Sequence, residues 1–183
     1  MKKNEKKNFL TPLHLACGKN EIRPVFEYVW FDKGYAYASD ANFAIKQHVE
    51  TYHTIMESEN LNGHCIHYKA MAAIIKYDQA VATEEGIKCW NENSSSDAFF
   101  PYATIETKMP NFEVALTLPK VESVDIIGFN PYYMGLAGKL LKSETGMSNI
   151  RCTFHGKTRG ILLEEIGCPN QIVVIMPRII SEV

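Results

Sequence analysis

No run in this sequence approaches the roughly 20 consecutive apolar residues that a membrane-spanning helix needs. The opening Met1-Lys2-Lys3-Asn4-Glu5-Lys6-Lys7-Asn8 places no apolar core behind its lysines, as a secretory leader would. A cytoplasmic protein that does not enter a membrane is expected. The five cysteines, Cys17, Cys65, Cys89, Cys152 and Cys168, contain no CxxC pair and are odd in number, which suits reduced packing residues better than a disulfide framework. Basic residues are not in excess: 19 lysines and arginines against 21 acids give a formal charge of −2. That excludes a generally basic nucleic-acid binder and leaves only a local patch.

Catalytic sets are equally scarce. His64-Cys65-Ile66-His67 carries metal-ligand types, but His64 and His67 on a strand point to opposite faces. Cys152 and His155 lie by a strand end with no orienting third group. Glu164 and Glu165 are adjacent on a strand and diverge, and no glycine-rich phosphate loop is present. We expect no enzymatic activity, no metal and no cofactor.

What the sequence does have is a core and a repeat. With 183 residues, 46% of them hydrophobic, the chain can bury enough apolar surface for one domain or a compact pair. A short helix followed by alternating or apolar strands recurs three times, at a spacing of roughly 50 to 60 residues. In the first unit Thr11 reads as N-cap, Pro12 as the first helical residue and Gly18 as the stop. Strands follow at 25–31, 35–38 and 43–49, with Asp32-Lys33-Gly34 as a hairpin turn. The second unit reads as a strand at 64–67, a helix at 68–76 with Met71, Ile74 and Ile75 as its apolar stripe, and strands at 80–83, 86–90 and 99–106. The polar residues 91–97 form its hairpin tip. The third reads as a strand at 124–129, a helix from the Asn130-Pro131 start to about residue 142 with Leu136, Leu140 and Leu141 inward, and strands at 150–154, 160–165 and 172–176. Two βαβββ elements normally pair to complete one core. Three are an odd number, so the third needs a partner, from another chain by self-association, which is favoured, or within the chain by folding back against the second unit.

Duplicated βαβββ halves are the plan of sliding clamps, and four segments resemble that family, the bacterial DNA polymerase III beta subunit. Ile126-Ile127-Gly128-Phe129-Asn130-Pro131-Tyr132-Tyr133 looks like its IGFN-x-x-Y entry, and Val173-Val174-Ile175-Met176-Pro177-Arg178-Ile179 resembles its closing YVVMPMRL strand. Residues 100–119, with Met109-Pro110-Asn111-Phe112-Glu113-Val114-Ala115-Leu116 inside them, are similar to its FPDYRRVLP linker. Ala38-Ser39-Asp40-Ala41-Asn42-Phe43-Ala44 stands where clamps have ATDGHRLA.

The resemblance implies an α+β DNA-clamp fold of repeated βαβββ units, with antiparallel sheets and helices on one face. It divides the chain into a flexible basic tail (1–9), a complete clamp-like domain of two units (10–119) and a C-terminal half domain (120–183). The family's first domain and half of its third find no counterpart, which leaves ring closure open. A peptide-binding groove is implied at Phe26, Ser39, Ala41, Asn42, Phe43, Ala44, Pro110, Val114, Ala115, Val174 and Met176. The same residues also fit a packed seam between units. Family glycine, histidine and arginine are replaced by Ala41, Asn42 and Phe43, and linker arginines by Glu113 and Val114, so the groove is expected to be more apolar and less basic. DNA-facing candidates are Lys69, Lys76, Lys139 and Lys142. The implied partners are double-stranded DNA, through its backbone, and clamp-binding peptides of polymerase or other replication proteins. The alternatives are a peptide-binding adaptor or clamp competitor that does not encircle DNA, and a structural protein that reuses the fold.

Overall fold

The computed structural model describes residues 11–19, 22–92, 97–141, 149–168 and 170–179. Turn chemistry sets the first register. Lys33 and Gly34 take left-handed backbone, φ 50° and 77°, the geometry of a two-residue hairpin whose twist matches its strands. Strand β1 (Tyr28–Asp32) therefore folds back on β2 (Tyr35–Ser39), which pairs in turn with β3 (Phe43–His48). β1 starts three residues later than expected because Pro24 opens a 3-10 turn, Pro24–Glu27; proline has no N–H to give a ladder. The first helix is also reduced, to the 3-10 turn Leu13–Leu15, with Pro12 rather than Thr11 at its cap. Thr11 is buried, and its hydroxyl donates to the Tyr52 carbonyl at 3.5 Å.

After β3 come α1 (Val49–Tyr52), β4 (Ile55–Met56), β5 (Cys65–His67), α2 (Tyr68–Ile74), β6 (Gln79–Ala82), β7 (Gly86–Trp90) and β8 (Asp97–Pro101). A short helix not expected from the sequence, α3 (Phe112–Leu116), interrupts the linker. Then α4 (Pro131–Leu140) leads to β9 (Ile150–Phe154), β10 (Ile161–Glu165) and β11 (Gln171–Ile175). α4 begins where its signals place it: the Asn130 side chain accepts from the Tyr132 N–H at 3.1 Å, and Pro131 occupies the first turn. The strand expected at 124–129 does not form. Gly128 makes one antiparallel bridge, to Arg178, and Glu122 one parallel bridge, to His155. The tail 1–9, residues 93–96 of the hairpin tip and the helix end at Lys142 lie outside the described residues.

The strands make two sheets, a seven-stranded one in the order β5-β1-β2-β3-β11-β10-β9 and a four-stranded one in the order β4-β6-β7-β8. β5 leads into α2 yet pairs with β1, so the first two units exchange a strand and share a core. The larger sheet is then extended by β3 and β11, the last strands of the first and third units, across five rungs from Gln171↔Gln47 to Ile175↔Phe43. Alternate side chains on this sheet go to opposite sides. Val29, Phe31, Phe43, Ile45, Leu163, Val173 and Ile175 face inward and join Met71 and Ile74 of α2, Leu136 and Leu140 of α4, and Ile87 of the smaller sheet in one core. Burying each such side chain contributes about 1.5 to 3 kcal/mol. At the β3·β11 seam the buried Gln47 amide donates to the Leu140 carbonyl at 2.7 Å and to Gln171 at 3.3 Å. That satisfies one of the carbonyls a helix end leaves over and fastens α4 to the seam.

Candidate functional site

The outward face of the seven-stranded sheet has its own apolar cluster, built on Trp30, Tyr37, Ala44, Cys65 and Val174 and roofed by Phe112 and Leu116 of the linker. The linker reaches that face directly after β8: the Ala103 N–H donates to the Cys65 carbonyl at 2.9 Å. α3 is capped by Asn111, whose side chain accepts from the Val114 N–H at 3.2 Å. Its Phe112 ring stacks on Tyr37, with centroids 5.2 Å apart. Beside that stack, Glu113 receives the Tyr37 hydroxyl at 2.9 Å and the Lys46 ammonium at 2.7 Å on one carboxylate oxygen. The two bonds, Lys46 first, hold the Glu113 carboxyl below its ordinary value, and burial together with Glu113 pushes the Tyr37 phenol up.

One rung further along the same face, the linker leaves a cavity of about 230 Å³ uncovered. It is lined by Phe26, Ser39, Ala41, Phe43, Ala44, Pro110, Asn111, Phe112, Ala115, Val174 and Met176. Ser39 and Ala44 are register partners, as are Ala44 and Val174, so the floor crosses the seam between the first and third units. The Met176 N–H prolongs the ladder by donating to Asn42 O at 2.8 Å, and its side chain, 42% exposed, forms the rim. A second cavity of about 420 Å³, lined by Gly18, Ile22, Arg23, Phe26, Asp40, Ala41 and Asn42, adjoins the first through Phe26 and Ala41.

The turn between β2 and β3 shapes the junction of these cavities. One Asp40 carboxylate oxygen accepts from the Asn42 and Phe43 N–H groups at 2.9 and 2.8 Å, and the other from the Tyr133 hydroxyl at 2.8 Å. Tyr133, in the first turn of α4, also stacks on Phe43 at 5.8 Å. Burial and the Asp40 contact push its phenol up to about 12. Ala41 is held at φ 77°, a conformation that favours glycine.

Comparison by sequence finds no match, either to a family model or to a curated protein. Comparison by structure does. A Bartonella birtlesii DnaN sliding clamp (DNA polymerase III subunit beta), bound to griselimycin, superposes with TM-score 0.66 at 12% identity, covering 94% of this chain and 63% of that one. A Bacillus subtilis DNA polymerase sliding clamp gives 0.62 at 14% identity, covering 96% and 62%. A Borrelia burgdorferi DNA polymerase III subunit beta, in complex with a natural product, gives 0.67 at 10% identity, covering 95% and 61%. This chain has the sliding-clamp fold. It spans about three fifths of the length of the clamps it matches, and at these identities the likeness is one of fold alone.

Within the clamp fold, most of the groove positions expected from sequence come together around the smaller cavity, and two do not. Asn42 lines the adjoining cavity instead. Val114 is 70% exposed, because the linker here is helical and its spacing turns residue 114 away from the Phe112 and Leu116 side. Asn111 and Phe112 were missed, although Asn111 before an apolar pair four apart, Phe112 and Leu116, is a helix-start signal. Ala41 stands where the clamp motif has glycine and keeps a glycine backbone. Glu113, where the motif has arginine, is committed to Lys46 and Tyr37.

The lysine candidates Lys69, Lys76 and Lys139 are exposed on or just after α2 and α4, the helices of the inner layer; Lys142 lies outside the described residues. Lys19, not foreseen, joins the α2 pair. Its ammonium and that of Lys69 lie 5.7 and 5.9 Å from the Tyr68 ring centre, and Lys19 and Lys76 add to burial in lowering the pKa of His14. The other polar sets serve the fold. His67 bonds Glu27 at 3.2 Å, whereas His64 stacks on Tyr102. Glu164 pairs with Arg151, and buried Glu165 accepts from the Asn149 N–H. All five cysteines are free, with Cys152 the exposed one. Among the described residues no group of three or more His, Cys, Asp or Glu is placed to hold a metal ion, and no helix is long and apolar enough to cross a membrane.

Two substitutions test this geometry. Ala41→Gly should stabilise the protein by about 0.5 to 1 kcal/mol, because relief of the left-handed strain exceeds the added unfolded-state entropy; urea unfolding with an unchanged slope reads it. Glu113→Gln should cost about 0.5 kcal/mol at neutral pH, as expected for a largely solvated pair. Since the folded Glu113 pKa is depressed, its contribution is present above the ordinary value of 4.5 and is lost as pH falls through the folded value. Wild type and variant should therefore converge in stability once the pH lies below that folded value.

Proposed function

We propose that this protein is a non-enzymatic, clamp-like DNA replication factor that captures partner peptides in the Phe26–Met176 groove and contacts duplex DNA through its inner helices. The observation that carries the reading is the cavity across the β3·β11 seam. Its walls come from Phe26 and from three chain segments far apart in sequence, and its lining is dominated by small and apolar side chains, the composition of a site that takes an apolar anchor. Met176 at the rim is a polarizable, adaptable side chain suited to more than one ligand. In this reading residues 10–119 form the clamp-like domain and 120–183 its half-domain neighbour. The protein works in the cytoplasm, self-associates, and has as partners polymerase or other replication proteins and double-stranded DNA.

A clamp-binding-type peptide should bind weakly in titration calorimetry, and Met176→Ala should weaken it by about 1 to 2 kcal/mol, as for loss of one apolar anchor contact. No heat of binding, or an unchanged affinity in a folded Met176→Ala, would sink the groove reading.

The net charge of −2 favours a second reading, an adaptor or clamp competitor that keeps the groove and never encircles DNA. Salt dependence separates the two. If Lys19, Lys69, Lys76 and Lys139 meet phosphates, the plot of log affinity against log salt should have a slope of about −3 to −4. Lys69→Glu with Lys76→Glu should flatten it. A slope near zero supports the adaptor.

A further inference from the structure

The chain contains one paired example of a contact that its remaining unit leaves open. β3 and β11 are each the third strand after their unit's helix, and they pair antiparallel, so an approximate two-fold axis passes between them. The third strand after α2 is β8. It lies at the edge of the four-stranded sheet and pairs with β7 alone among the described residues. Tyr102 N donates to Glu85 O at 3.1 Å across from β7, which fixes the alternation: the backbone groups of Asp97, Phe99 and Pro101 point away from the sheet. Phe99 is 50% exposed on this edge, its ring lying partly over Gly86 of β7.

We propose that β8 pairs antiparallel with β8 of a second copy of this chain, joining two four-stranded sheets across a two-fold axis at Phe99. The strand is self-complementary in that register. Phe99 meets Phe99 on the outer face, a favourable aromatic pair, and Ala98 meets Phe100, small against large, on the core face. Asp97 meets Pro101: the Asp97 N–H donates to the Pro101 carbonyl, while the Asp97 backbone carbonyl, which the proline nitrogen cannot serve, is left to water at each end of the joint. Centring the axis on Asp97 would instead oppose two carboxylates. The inference deepens the self-association just proposed and rests on strand topology, independently of the groove.

Light scattering at tens of micromolar protein in moderate salt should give about twice the 20.7 kDa chain mass. Phe99→Glu should return it to the monomer mass with unchanged circular dichroism: the new carboxylate sits opposite Lys88 within its own sheet, but two of them would face each other across the axis. Phe99→Cys in a Cys152→Ser background should cross-link on mild oxidation, since directly opposed Cα atoms lie about 5.5 Å apart, within disulfide range. A monomeric wild type overturns the proposal, and so does a dimer that persists in Phe99→Glu and fails to cross-link at position 99. Neither result bears on peptide binding, which calorimetry reads separately.

Discussion

The antiparallel pairing of β3 with β11 is the constraint on which the rest of the structure depends. It joins strands more than 120 positions apart in the sequence into one sheet, places Val174 and Met176 beside Ala44, and so creates the cavity floor from two units that would otherwise be separate. On the inner side the same seam buries Gln47 and Gln171 and ties them to the end of α4. A buried amide pair of this kind contributes more to register than to net stability, because each amide exchanges water for protein partners at modest gain. A slip of one residue would send Gln47 outward and Ala44 inward, exposing the core.

Charge in the groove region is largely consumed internally. Lys46 lies over the Tyr35 ring at 4.2 Å and pairs with Glu113, which also holds Tyr37. Asp40 spends both oxygens on its own turn and on Tyr133. What remains for a ligand at the smaller cavity is shape and apolar contact. Selectivity in such a site follows from which side chain fits, and one methylene too many or too few is worth only about 1 to 3 kcal/mol. Where the resembled family motifs have basic residues this chain has Asn42, Phe43, Glu113 and Val114, which leaves the region more apolar and less basic.

Much of the fold was legible because its signals are local. Asn130-Pro131 starts α4, Lys33-Gly34 turns the first hairpin, and short apolar runs mark β10 and β11. Where local signals compete with tertiary demands, the sequence misled. The apolar residues 124–129 read as a strand, yet among the described residues they make one isolated bridge, Gly128 to Arg178, and a strand without a ladder is not one. Thr11 looked like a cap and is instead a buried side chain. Most residues that line the smaller cavity were named through the family likeness; Asn42, which lines the adjoining cavity, and Val114, which the linker's helix turns outward while bringing Phe112 in, were not placed by it. The edge at β8 was invisible in sequence, since an unpaired strand carries the same alternation as a paired one.

In the proposed function one ligand touches three distant segments at once across the seam. Backbone amide chemical shifts of the isotope-labelled protein, followed while a clamp-binding-type peptide is added, test it directly. Concerted shifts confined to Ser39–Ala44, Asn111–Ala115 and Val174–Met176 are predicted. Shifts limited to a single segment, or spread over the inner helices with those three silent, would contradict it.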